Sequence, residues 1–291
     1  MKSPVLSLLI TLCVLSLFSC EKVVFDVEED ASAVEADNVT IKASMFNIVP
    51  FDDTRAVQNI ADYCTKLCFV VYQDGEQKKK ILQKKGDDDY GQVSMSLAAG
   101  TYQLLVLGHS SSGNPSLAHP EKIQFTNATG YSDTFYYYAD LEVSEQAETH
   151  SISLQRAASM LRINIVDEIP ANAERIRVYY TGESGVFDAE AGWGGATNSK
   201  QYIFYDVASR QAPITVAAYT FLRNETGTLN VILTAYDADD NVLAERELKD
   251  VPMKNHMVTE YTGSLFSSSL WEQDFSFSAE TEWKIYEQHN F

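Results

Sequence analysis

Apolar and polar residues alternate along many short stretches of this chain, and the alternation predicts β-strands almost throughout. Residues 93–97 alternate most clearly, and Ala99 and Gly100 predict a tight turn into a further strand at residues 101–108. The period of an α-helix is seen only over residues 52–66. Further strands are predicted at residues 39–46, 67–72, 135–138, 141–143, 151–156, 160–166, 176–180, 215–219, 228–236 and 242–248.

These predicted strands are short, and turn residues such as Asp74 and Gly75 separate them. Short strands divided by turns are typical of antiparallel β-sandwiches. The chain of 291 residues has room for two such domains in tandem. We expect an all-β protein with one sandwich at residues 38–156, a second at 157–270, and a C-terminal segment at 271–291.

The N-terminal segment has a different pattern. Lys2 precedes an uncharged apolar run at residues 5–18, which is shorter than the ~20 residues that a membrane-spanning helix needs. Its position and length are those of a secretory signal. Cys20 follows Ser19 at the end of the run, which resembles the lipobox of bacterial lipoproteins. The resemblance implies a signal peptide at residues 1–19 and acylation of Cys20; an ordinary secretory signal is the alternative.

The net charge of the chain restricts the kinds of molecule that it can bind. The formal net charge is −19, which argues against binding to nucleic acid or directly to an anionic membrane surface. A lipid on Cys20 would then provide the membrane attachment. Residues 20–37 are rich in acidic and small residues, and we interpret them as a tether. The apolar fraction of 45% is that of a globular protein with real cores.

No catalytic or metal-binding motif is found, so we expect a non-enzymatic protein without a cofactor. The five histidines are scattered, and Cys64 and Cys68 have no further ligands nearby in sequence. We expect Cys68 to pack in a core. The aromatic run at residues 135–138 and Trp193 could stack on sugars, although alternating aromatics in a sandwich strand are more often half core and half surface.

Several segments, in this order, resemble the FimB-like fimbrial anchor and minor-subunit lipoproteins of the Bacteroidales type V pili. The resemblance covers nearly the whole chain after Cys20. The segments that carry it are the lipobox and residues 67–72, 97–104 (LAAGTYQL), 154–163 (LQRAASMLRI) and 251–266 (VPMKNHMVTEYTGSLF). It implies two transthyretin-like sandwich domains, a lipid anchor in the outer membrane, and fimbrial stalk subunits as partners. The acidic residues after Cys20 are not tightly clustered behind it, so we also expect the protein to be exposed at the cell surface.

The same family assembles by donor-strand exchange, in which an extended segment of one subunit completes the sheet of the next. Residues 271–291 are a candidate donor, because Phe275, Phe277, Trp283 and Ile285 lie in alternating stretches. The alternative is that this segment is the last strand of its own domain.

Polymerising subunits of such pili lose an N-terminal strand by cleavage after Arg. The corresponding position here is Arg55, in the sequence DTRA. Cleavage there would separate the folded part from the lipid, so we expect Arg55 to stay uncut and residues 39–46 to stay in place.

We therefore predict an outer-membrane lipoprotein that anchors a fimbria at its base and limits its length. Two alternatives stay open. One is a glycan-binding surface lipoprotein of a polysaccharide-uptake system, and the other is a tip or accessory fimbrial adhesin.

Overall fold

The all-β fold predicted from the alternation is confirmed by the strands of the chain. The computed structural model describes residues 37–45, 59–195, 200–267 and 285–290. The strands before residue 157 are β1 (Val39–Met45), β2 (Lys66–Gln73), β3 (Glu76–Lys84), β4 (Gln92–Met95), β5 (Gly100–His109), β6 (Ile123–Gln124), β7 (Thr134–Val143) and β8 (Glu148–Arg156).

The later strands complete the fold. They are β9 (Ser159–Ile165), β10 (Arg175–Thr181), β11 (Val186–Asp188), β12 (Trp193–Gly194), β13 (Gln201–Asp206), β14 (Ile214–Thr220), β15 (Thr226–Tyr236), β16 (Val242–Lys254), β17 (Val258–Gly263) and β18 (Ile285–Asn290). Two single-turn 3-10 helices cover Ile60–Asp62 and Pro120–Lys122. Among the described residues, no helix is long and apolar enough to cross a membrane.

The first half of the chain forms two layers. Seven of its eight strands run in the order β3-β2-β5-β7-β8-β1-β4, but β7 and β8 pair only at Phe135–Arg156 and Tyr136–Gln155, and β6 pairs with β11 instead. The sheet therefore turns a corner there. Apolar residues from both sides of the corner, such as Ile41 of β1 and Phe69 of β2, share one hydrophobic cluster between the layers.

The second half repeats this arrangement. The order β13-β10-β15-β16 corresponds to β3-β2-β5-β7, and the order β14-β9-β17 corresponds to β4-β1-β8. Strands β1 and β9 each have an antiparallel neighbour on one side and a parallel neighbour on the other. A second hydrophobic cluster fills the space between these two sheets. The antiparallel prediction thus holds for most pairs, while β1–β8, β9–β17 and β17–β18 are parallel.

A third apolar cluster covers the outer face of the first-half sheet. Cys68 and Leu105 of that sheet contact it from below, and Ile123, Phe187 and Phe221 lie over them. Strand β2 is consequently buried on both faces, which explains why residues 67–72 are continuously apolar instead of alternating. Because Phe187 and Phe221 come from the second half of the chain, this cover holds the two halves together.

Two local predictions need correction. The predicted helix at residues 52–66 is wrong where it can be checked, because only Ile60–Asp62 forms a helical turn and Lys66 already begins β2. Strand β13 was not predicted. The proposed boundary at residues 156 and 157 falls in the link between β8 and β9, but the chain from Asp37 onward is one compact unit, so the division into two domains stays a prediction.

Candidate functional site

Strand β1 fills a gap between β4 and β8, which we call the strand slot. It pairs with β8 over seven residues in parallel, from Val39–Glu148 to Met45–Leu154. On its other side it pairs with β4 over four residues, from Val39–Met95 to Lys42–Gln92. The slot is therefore closed on both sides by main-chain hydrogen bonds to a strand of the same chain.

The side chains of β1 explain why this segment fits. Val39 and Ile41 point into the core and are almost fully buried, with Ile41 0% exposed. Thr40 and Ser44 lie on the other face, where their hydroxyls contact Ser94 (2.9 Å) and Ser153 (3.2 Å). The alternation read from the sequence thus places one apolar and one polar face correctly.

Asn38 fixes the beginning of β1. Its side-chain amide donates to the carbonyl oxygens of Leu97 (2.9 Å) and Ser144 (3.2 Å), and its Oδ1 accepts from the Leu97 N–H (3.0 Å). Its main-chain N–H also donates to the Met95 carbonyl oxygen, and its own carbonyl oxygen accepts from the main-chain N–H of Glu148. One residue therefore connects the start of β1 to the segments that follow β4 and β7.

The C-terminal strand β18 belongs to a sheet of the second half. It pairs in parallel with β17, from Val258–Ile285 to Thr262–Asn290, and so adds an edge strand to the sheet β14-β9-β17. For residues 285–290, this is the arrangement expected if the tail is the last strand of its own domain. The other residues predicted as donor-strand contacts, Phe275, Phe277 and Trp283, lie outside the described residues, and so do Cys20 and Arg55.

Of the four cysteines in the sequence, the two that the structure describes, Cys64 and Cys68, lie in environments that disfavour the thiolate. Both are free and buried, and they point to opposite faces of the sheet, since Cys64 packs in the core of the first half and Cys68 under the cover. Burial raises the pKa of the Cys64 thiol to about 11 and that of the Cys68 thiol to about 12. In the part of the chain that is described, no group of three His, Cys, Asp or Glu residues could hold a metal ion.

The aromatic residues noted in the sequence are mainly structural. Phe135 and Tyr136 are buried, and the Tyr136 ring lies 4.6 Å from that of Phe187, centroid to centroid. Trp193 in β12 is half-buried. Among the described residues, the most exposed aromatic side chains are Tyr202 and Phe204 of β13, which are not among the residues predicted from the sequence. The signal that could have found them is the sequence QYIFYD, in which Tyr202, Phe204 and Asp206 occupy one face of the strand and Gln201, Ile203 and Tyr205 the other.

Comparisons with known proteins give a family and several distant structures. A model of the family of unknown function DUF6562 matches residues 31–285. No protein of curated function matches the chain.

Three solved structures illustrate the distant similarities. A candidate adhesin from Bacteroides ovatus is 14% identical, with 73% of this chain and 82% of that chain covered and a TM-score of 0.49. A candidate polysaccharide-binding protein from Bacteroides thetaiotaomicron is 12% identical, with 71% and 78% covered and a TM-score of 0.44. The fimbrial anchor protein Mfa2 from Porphyromonas gingivalis is 13% identical, with 72% and 82% covered and a TM-score of 0.36. These TM-scores are all below 0.5, so they carry no argument about function, whereas the family match spans most of the sequence: the chain belongs to the DUF6562 family.

Proposed function

We propose that this protein is a non-enzymatic outer-membrane lipoprotein that anchors a fimbria at its base and ends its growth. Acylated Cys20 would attach it to the membrane, with residues 20–37 as a tether and the fold exposed at the cell surface. Fimbrial stalk subunits would be its partners. The proposal rests on the resemblance of the sequence to fimbrial anchor lipoproteins and on one structural observation, the strand slot filled by β1.

The filled slot supports a terminating role. A subunit that accepts a donor strand must offer two open strand edges and an exposed core, and here β1 covers both edges and the core between them. A foreign strand would have to displace β1. Exposing Val39 and Ile41 alone would cost ~1.5–3 kcal/mol for each side chain. A subunit that keeps β1 therefore cannot accept the donor strand of another subunit in the strand slot, and the fimbria ends at this subunit.

Arg55 decides whether β1 stays attached. It lies between β1 and β2 in the sequence, so cleavage after it would separate the slot-filling strand and the lipid from the rest of the chain. We propose that Arg55 is uncut in the native protein. Mass spectrometry of the protein from native envelopes tests this, and a mature chain that begins at Ala56 would show a stalk subunit and not an anchor.

A second candidate function is that of a tip or accessory adhesin. Strand β18 favours it, because a C-terminal strand bound within its own sheet is not available to another subunit. In the anchor proposal, the donor role would then fall to residues 271–284, with Phe275, Phe277 and Trp283. Glycan binding has less support, because Trp193 is half-buried and Phe135 and Tyr136, half of the run at 135–138, are buried.

Electron microscopy of native cells tests the anchor proposal. We expect fimbriae that are shed into the medium or abnormally long when the gene is deleted, and the same phenotype for Cys20→Ala, which removes the acylated thiol. Cys13→Ala is the matched control, since it alters a cysteine inside the signal segment and should leave fimbriae attached. Fimbriae unchanged in length and attachment in the deletion strain would overturn the proposal in favour of the adhesin.

A further inference from the structure

Strand β13 combines exposed aromatic side chains with a free sheet edge. Tyr202 is 40% and Phe204 49% exposed, and their ring centroids lie 5.7 Å apart on the outer face of the sheet β13-β10-β15-β16. Large apolar side chains grouped at a surface are a mark of interaction sites, whereas scattered ones need no explanation. We call residues 201–206, the outermost strand of this sheet, the β13 edge.

The main chain at this edge is occupied at its beginning and open at Phe204, because Asn127 accepts from the Tyr202 N–H and donates to the Lys200 carbonyl oxygen. The Val207 N–H donates inward to Glu174, and the Tyr202 N–H donates outward to the Oδ1 of Asn127 (2.9 Å). Because main-chain groups alternate in direction along a strand, those of Phe204 point outward like those of Tyr202. Within the described residues, the outward main-chain groups of Phe204 have no hydrogen-bond partner.

The first half of the chain supplies an internal control for this edge. Strand β3 holds the equivalent edge position, and its sequence EQKKKILQK contains four lysines. Lysines along an edge strand are a common device that prevents pairing with other strands. Strand β13, with the sequence QYIFYD, has no lysine and two exposed rings. Of the two equivalent edges, one is protected against strand addition and the other is not.

Positive charge lies beside the exposed rings, in a chain that is acidic overall. The Arg175 guanidinium carbon is 5.6 Å from the centroid of the Phe204 ring, and Arg177 is directly opposite Phe204 in the neighbouring strand. Exposed Lys200 precedes the strand. Arg175 already pairs with Asp240, but Arg177 has no carboxylate partner within the described chain and donates only to the Thr234 hydroxyl. Exposed Asp206 lies opposite Arg175 on the same side of the strand pair, so Arg177 is the cation beside Phe204 that is left for a carboxylate of the incoming partner.

We propose that the β13 edge is a docking site for an extended segment of another protein, one with aromatic side chains at alternate positions and carboxylates next to them. The segment would add to the sheet through the main chain of Phe204 and would cover Tyr202 and Phe204 with its own rings. Aromatic residues and arginine are also the residues that contribute most to binding at protein interfaces. This site is separate from the strand slot and requires neither the lipid nor β1.

A titration of the purified protein tests the proposal. The probe is a short fluorescent peptide of alternating phenylalanine and serine with glutamates at both ends, and its binding is followed by fluorescence anisotropy. We expect saturable binding that weakens at least ~10-fold with Phe204→Lys, which repeats at β13 the protection found at β3. Tyr202→Lys is a second variant with the same expected effect, in case one substitution perturbs the fold. Leu82→Lys, at a residue of β3 that is 46% exposed, is the matched control and should bind like the unaltered protein.

The controls define what would overturn the proposal. The same peptide with lysines in place of the glutamates should bind at least ~10-fold more weakly, and equal binding would overturn the requirement for carboxylates. No peptide binding, or binding that Phe204→Lys leaves unchanged, would overturn the site itself. Binding of a soluble polysaccharide that is lost in Phe204→Lys, without peptide binding, would assign the edge to glycans instead. Dimerisation of the protein alone that Phe204→Lys abolishes would assign it to a second copy.

Discussion

The two halves of the chain have the same strand order, but β1 and β9 are connected to it differently. Strand β9 follows β8 after only Ala157 and Ala158, so it cannot leave its sheet without moving its neighbours. Strand β1 is preceded by 38 residues and separated from the next element by residues 46–59. Strands β1 and β9 therefore occupy equivalent positions, but the chain connection holds β9 in place and would allow β1 to separate.

The outer faces of the two equivalent sheets differ as well. In the first half, the face of β2 and β5 is buried under the third apolar cluster. In the second half, the face of β10 and β13 has no such cover within the described chain, and it carries tyrosine, phenylalanine and arginine. The uncovered face is therefore the one that carries the docking site we propose at the β13 edge.

The largest expected effect comes from removing β1. A chain without residues 1–45 should lose about 5 kcal/mol or more of unfolding free energy, because the buried side chains, the Asn38 contacts and both ladders are lost. A synthetic peptide of residues 37–45 should restore the melting temperature in a concentration-dependent way, as expected for a ligand of the folded state. Thermal melts with and without peptide give the measurement.

A matched test with β9 sharpens this prediction. A peptide of residues 159–165 should not rescue Ile163→Asp, because β9 remains tied to β8 and occupies its own position. The β1 peptide carrying Ile41→Asp should also fail with the truncated chain. The truncated chain melting like the full protein would contradict this prediction. Equal recovery of the melting temperature by the 37–45 and 159–165 peptides would show that β1 is no more separable than β9.

The next effect concerns His109, which is fully buried under the cover of the first half. Burial, and secondly the nearby Lys66 cation, lowers its pKa to about 4. Between pH 6.5 and 4 the unfolded chain takes up a proton that the folded chain does not, so the unfolding free energy falls by up to about 3 kcal/mol; below pH 4 it falls no further from this group.

Urea unfolding at pH 7 and pH 4.5 measures this loss. His109→Gln should remove most of it, whereas His119→Gln, at an exposed histidine, should not. An unchanged pH dependence in His109→Gln would show that the cover has no acid-sensitive group at this position.

Asn38→Ala should cost about 1–3 kcal/mol, because the Leu97 N–H and two carbonyl oxygens lose their partner. Asn38→Asp keeps the acceptor for Leu97 but not the donor, so its cost should be intermediate. Urea unfolding of the three proteins gives the order. A loss below ~0.5 kcal/mol for alanine would show that Asn38 does not hold β1 in the slot.

The smallest effect on stability is expected at the β13 edge. Phe204→Lys should change the unfolding free energy by less than about 0.5 kcal/mol, because the ring is half-exposed and lies at the rim of the sheet. Leu82→Lys on β3 should behave alike. A loss above ~1 kcal/mol at Phe204 alone would mean that the ring already packs against part of the same chain.

Much of the fold follows from local patterns in the sequence. The alternation at residues 93–97 gives β4, and the alternation at 39–46 gives β1 with the correct face inward. Burial on both faces hides the alternation in β2, so the sequence predicts a strand there but not its cover. That cover depends on Phe187 and Phe221, which come from distant parts of the chain.

The candidate sites were less predictable for the same physical reason. Whether an aromatic residue is core or surface depends on what lies opposite it, so the local sequence does not distinguish buried Phe135 and Tyr136 from exposed Tyr202 and Phe204. The partner strands of β1 and β18 are also set by long-range pairing that no local pattern encodes. Lipidation of Cys20 and retention of Arg55 stay predictions.

The pairing of β1 also has a mechanical consequence. Main-chain hydrogen bonds on both of its sides run across the strand, so a pull at Asp37 along the strand axis loads them in shear. Bonds in shear share the force and must break together, unlike bonds that are peeled apart one at a time. Asn38, at the loaded end, would transmit the force into the segments after β4 and β7 at once. The geometry is that of a joint that resists steady tension.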